Sequence, residues 1–102
     1  MLNAVLMPYV LKANYSEINS RIARLARYLD LEADFDAFLN WILSMREVIG
    51  IHHALSAIIP EDSRLSEIGE MAVLDPTAGT NPILHDAVTY TGIAQRAYNG
   101  EL

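Results

Sequence analysis

Apolar side chains recur along this chain with the period of helices, and nowhere with the sustained alternation of strands. Leu2–Ala13 opens apolar all round (Leu2, Ala4, Val5, Leu6, Met7, Tyr9, Val10, Leu11) and predicts a helix buried on most sides. Pro8 is compatible with that helix only as a kink or near an end. A break at Asn14-Tyr15-Ser16 precedes Ile18, Ile22, Leu25 and Leu29, which repeat at i, i+4, i+7 and i+11, while Arg21, Arg24 and Arg27 lie on another face. This predicts an amphipathic helix from Ser16 or Glu17 to about Leu29. Beyond the acidic joint Asp30–Asp36, a stripe of Phe35, Phe38, Leu39, Ile42, Met45 and Ile49 predicts a third helix from about Ala33 to Ile49. Asp34 or a neighbour caps its start and Gly50 ends it.

Ile51–Ile59 is apolar apart from His52 and His53, and Pro60-Glu61-Asp62-Ser63 reads as a helix start ahead of Leu65, Ile68, Met71 and Ala72. A short helix to about Leu74 is expected. Asp75–Pro82 collects loop formers, and its two prolines bias the residues before them away from helix, predicting an irregular loop of about ten residues. Asp86 is the expected N-cap of a last helix, Ala87 to about Tyr98. Gly92 inside it costs about 1 kcal/mol against alanine in an exposed helix and marks close packing. With no internal repeat or low-complexity tract, the fold class is all-α: a bundle of about five helices forming a single helical domain over residues 1–102.

Composition narrows the function. Seven basic residues against thirteen acidic give a net charge of −6, and 52% of the 102 residues are apolar, enough for one core. An acidic chain of this kind is not expected to bind a phosphate backbone, which sets aside nucleic acid and a helix-turn-helix reading. No apolar run reaches the length of a membrane span, and no basic region precedes Met1–Leu11 as in a secretory leader, so no membrane partner is expected. Absence of cysteine removes thiolate chemistry and is compatible with a reducing, cytoplasmic setting.

Candidate chemistry is sparse. The side chains of adjacent His52 and His53 would point about 100° apart on a helix, and His85 is remote in sequence, so no metal site is expected in this chain. Glu61, Asp62, Asp34 and Asp36 fall at predicted helix starts, where a carboxylate complements the helix dipole. The arginine stripe on the second helix reads as a solvated face, and Asn14-Tyr15-Ser16 matches a glycosylation acceptor without a secretory context. The Asp75–Pro82 loop stands apart, because long loops in small helical domains are commonly functional, and this one carries Thr77, Thr80 and Asn81.

Asn3-Ala4-Val5-Leu6-Met7-Pro8-Tyr9-Val10-Leu11 together with Ala72-Val73-Leu74-Asp75 and Thr80-Asn81-Pro82 resembles the C-terminal helical domain of the iron-containing (group III) alcohol dehydrogenases. The first segment looks like the helix after the last metal-binding histidine of that family, the second like its aspartate, short loop and Asn-Pro before the terminal helix. Between them, Arg27-Tyr28-Leu29-Asp30 and Gly50-Ile51 with Leu55 follow in the family's order. The resemblance implies an oxidoreductase in which an N-terminal α/β domain binds NAD(P) and a divalent metal, usually iron, is held by one aspartate and three histidines. All four ligands would lie before the stretch matched here, so the chain by itself is expected to bind neither cofactor. Thr77 and Asn81 are the residues it places along the substrate cleft. Ile58-Ile59 replaces an apolar-Gly pair, and Ile83 stands where a basic residue commonly follows Asn-Pro, so no phosphate contact is carried over.

The leading expectation is a helical domain or fragment of such an enzyme, inactive alone. The alternative is a free-standing interaction module that self-associates, for example as a homodimer, through surfaces the missing domain would cover.

Overall fold

The apolar periods of the chain resolve into five α-helices and two short 3₁₀ turns, with no strand. A computed structural model describes all residues, Met1–Leu102. In chain order they are α1 (Leu2–Ala13), α2 (Tyr15–Tyr28), α3 (Phe35–Val48), the turn Leu55–Ala57, α4 (Leu65–Leu74), the turn Pro76–Thr80 and α5 (Ala87–Asn99). The all-α expectation therefore holds. No helix is long and apolar enough to cross a membrane.

Two helix pairs, α2 with α3 and α4 with α5, are joined by α1, which packs against α2, α3, α5 and the turn at Leu55. One core forms where Val5 and Tyr9 of α1 meet Leu55, Ile93 and Ala97. Ile18, Phe35 and Leu39 form a second cluster, and Ala26, Phe38 and Ile42 a third, both in the α2–α3 seam.

Local chemistry sets the ends of the helices. Asp34 Oδ1 accepts from the Ala37 N–H at 2.7 Å and Asp86 Oδ1 from the Thr89 N–H at 2.8 Å, so both expected N-caps are made. Three helices close on a left-handed residue, Asp30 (φ 58°), Gly50 (φ 76°) and Gly100 (φ 75°). In each case the next N–H bonds a carbonyl five residues back: Leu31 to Ala26, Ile51 to Arg46 and Glu101 to Arg96, at 3.0, 2.8 and 2.9 Å. Gly100 also sits against His53, where an added Cβ would come within 3.2 Å of the imidazole.

Several expectations are corrected. In α1 only Val5, Pro8 and Tyr9 are buried, while Leu2, Met7 and Val10 are exposed, so within this chain the helix is not covered on most sides. Pro8 lies inside α1, in its second turn, and is fully buried. A methyl group added at Gly92 would meet nothing within contact range, so this glycine does not mark close packing. Gly69 does, since a Cβ there would collide with Thr91 Oγ1 and the Ala87 carbonyl where α4 crosses α5. The stretch after Asp75 is not irregular. It forms a 3₁₀ turn over Pro76–Thr80, with proline at its start and the Asp75 carboxylate accepting from the Thr77 amide. Glu61 and Asp62 precede α4 rather than starting it, because the helix begins at Leu65 behind Arg64. The buried line of α2 is Ile18 and Ala26, with Leu25 and Leu29 partly open, and α3 buries Arg46 where the apolar stripe predicted Met45 and Ile49.

Candidate functional site

Thr77 and Asn81 of the Asp75–Pro82 segment lie towards the two ends of its 3₁₀ turn, and they differ in how far their polar atoms are committed. Asp75 Oδ1 accepts from the Thr77 N–H at 2.8 Å and from the Thr77 hydroxyl at 2.5 Å. Those bonds, the hydroxyl first and the amide second, hold the Asp75 carboxyl below the usual carboxylate range. The Thr80 hydroxyl donates back to the Thr77 carbonyl at 2.8 Å. Thr77 is exposed, and with its proton given to Asp75 its hydroxyl oxygen can still accept a hydrogen bond from outside.

Asn81 is half-buried and fully engaged. Its Nδ2 donates to Asn14 Oδ1 at 2.8 Å and to the Ile83 carbonyl at 2.6 Å, while its Oδ1 accepts from Asn14 Nδ2 at 2.9 Å. His85 Nε2 reaches the same Asn14 Oδ1 at 3.1 Å, and its ring stands edge-on to Tyr90 with centroids 5.5 Å apart. The node pins the segment before α5 to the α1–α2 junction. Asn14, only 4% exposed, is thus a structural amide whose buried side chain is not presented for glycosylation. In the sequence it reads only as a break between helices. No sequence signal marks that role, because only the structure shows that neither adjoining helix end uses its side chain as a cap.

The three histidines are held apart. His53 Nε2 lies 3.0 Å from the Gly100 carbonyl and His85 belongs to the Asn14 node, while His52 supplies only its backbone carbonyl, to Arg46. No cluster of three His, Asp or Glu side chains is assembled. The resemblance places all four iron ligands before this stretch, so no metal step is derived from these residues. Arg21, Arg24 and Arg27 make no ion pair, the one salt bridge being Arg64–Glu67 at 2.8 Å.

Nothing in the sequence pattern marks Arg46 as a buried residue. It is 5% exposed, with Nη2 donating to the Val5 carbonyl at 3.2 Å and the His52 carbonyl at 2.9 Å. Burial lowers its pKa from the ordinary arginine value and raises that of neighbouring Tyr9, whose hydroxyl donates to the His53 carbonyl at 2.6 Å. A wholly apolar groove of about 190 Å³ also opens between α1, α4 and α5, with Leu6, Leu55, Ile68 and Ile93 in its walls.

Comparison with known proteins finds no matching family model, no matching curated protein and no matching solved structure.

Proposed function

We propose that this chain is the C-terminal helical domain of an iron-dependent, NAD(P)-linked alcohol dehydrogenase, forming one wall of the cleft in which the full enzyme works. One observation carries the reading beyond the motifs themselves. Helix α1 has the composition of a core helix, yet Leu2, Met7 and Val10 lie open, as expected of a surface that an α/β domain covers. Hydride transfer needs a bound nicotinamide, and the Lewis-acid metal that would polarise the alcohol oxygen needs several ligands; on this reading the α/β domain binds the nucleotide and all four metal ligands lie before the stretch matched here. On this reading the chain is inactive alone, works in the cytoplasm, and contributes positioning. Asn81 holds the cleft-side segment against Asn14, and the exposed Thr77 hydroxyl oxygen accepts from a substrate hydroxyl.

The test is complementation. The purified chain should show no alcohol-dependent NAD(P) reduction, and should gain it when mixed, in the presence of iron, with the upstream part of such an enzyme, which carries the α/β domain and the four metal ligands. Turnover by the chain alone overturns the inactivity. A gene whose upstream frame encodes neither a Pro-His-Gly turn nor a nucleotide-binding domain overturns the parentage.

A second reading, a self-associating helical module, is favoured by exposed apolar residues outside α1. Met71 and Leu74 on α4 are 70% and 83% exposed, and Leu84, just before α5, and Val88, in its first turn, are 83% and 80% exposed. Light scattering that returns a monomer at high concentration counts against it.

A further inference from the structure

Arg46 is the one charged residue in the core, and it lacks a counter-charge. Along α3, Phe35, Leu39 and Ile42 point into the α2–α3 seam, and the next turn delivers a guanidinium. Two backbone carbonyls occupy its Nη2, while Nε and Nη1 are buried with no hydrogen-bond partner. Carbonyl dipoles offset part of the charge, but a desolvated cation with two donors unmet is unfavourable unless an anion completes it. Beside it, α3 and the Ile51–His53 segment flank a cavity of about 580 Å³ that is broadly open to solvent, its volume in the range of small-molecule sites. Arg46 is the only arginine or lysine in its lining, and Asn40, Ser44, Glu47 and His53 supply the remaining polar groups.

We propose that this cavity binds a small organic monoanion through its carboxylate, which pairs with the Arg46 guanidinium. With both Nη2 hydrogens on carbonyls, the free Nε–H and Nη1–H lie on different edges of the guanidinium, so the carboxylate takes a single charge-assisted hydrogen bond from it, and Asn40 and Ser44 offer further donors. Glu47, at the exposed rim, repels a second negative charge and so selects a monoanion over a phosphate dianion. Both unmet nitrogens are covered in the unliganded chain. The ligand therefore reaches them only when the guanidinium turns toward the cavity, past rim side chains that are exposed.

The experiment follows the Arg46 Nε–H resonance of the 102-residue chain by NMR during titration with acetate, inorganic phosphate and chloride at constant ionic strength. Acetate should give a saturable shift. The exposed variant Glu47→Gln should tighten acetate binding at least about threefold by removing the rim charge, and Arg46→Gln should abolish the acetate-dependent shifts of the Ser44 and His53 amides. Failure of Arg46→Gln to fold leaves the Glu47→Gln comparison decisive. An unresponsive Nε–H, an equal response to chloride, tighter binding of phosphate than acetate, or no gain in Glu47→Gln would overturn the proposal. None of these outcomes depends on alcohol dehydrogenase activity.

Discussion

Asn14 joins segments 67 and 71 residues away, through a reciprocal amide pair with Asn81 and a bond to His85. Removing one member leaves the others' polar atoms unmet in a part-buried setting. Asn14→Ala is therefore expected to cost about 1–3 kcal/mol, read as a lower urea midpoint, with the largest amide shifts at Asn81 and His85. Two glycines make an opposed pair. Gly69→Ala drives a methyl into the Ala87 carbonyl, which cannot rotate away, and should lose about 1–3 kcal/mol. Gly92→Ala enters open space within α5 and should gain up to about 1 kcal/mol. Denaturation of the two variants side by side checks both signs. From sequence alone the packing role fell on Gly92, because a glycine in a long helix is conspicuous. Which glycine faces a neighbouring helix depends on where α4 crosses α5.

At the scale of elements, the legible features were those set within a few residues. The starts at Asp34 and Asp86, the stop at Gly50 and the core extent of all five helices follow from caps and periods that need no tertiary partner. Capping also predicts an acid response. Hydrogen bonds from the Thr89 side chain and amide hold Asp86 below the ordinary carboxylate range, and Thr77 does the same for Asp75. A depressed folded-state pKa contributes stability above the unfolded value and loses it as pH falls through the folded one, so stability should decline from about pH 4 downward. Asp86→Asn keeps a capping oxygen without a titrating group, and its melting temperature should vary less with pH over that window than that of the parent chain. The turn at Pro76–Thr80 was harder to read, because proline and glycine signal departure from α-helix without specifying what replaces it.

The whole molecule carries more apolar surface than its own helices cover, most clearly at the end of α3, on α4 and from Leu84 into the start of α5. Replacing Leu74 and Val88 by glutamate should suppress any self-association seen by light scattering, while shifting stability by no more than about 0.5 kcal/mol per site. Helix class, helix order, a net charge of −6 and the prominence of the Asp75–Pro82 segment were decided by the sequence, since periodicity and composition act over short range. Thr77 and Asn81 were legible as residues of that segment. That Thr77 stays exposed while Asn81 is spent on Asn14 was not, because the partner lies 67 residues away. The same holds for Arg46: a charge near the end of an amphipathic helix reads as solvated. Only the folded chain buries it, with the Val5 carbonyl of α1 and the His52 carbonyl of the segment after α3 on one nitrogen and the other two facing no partner.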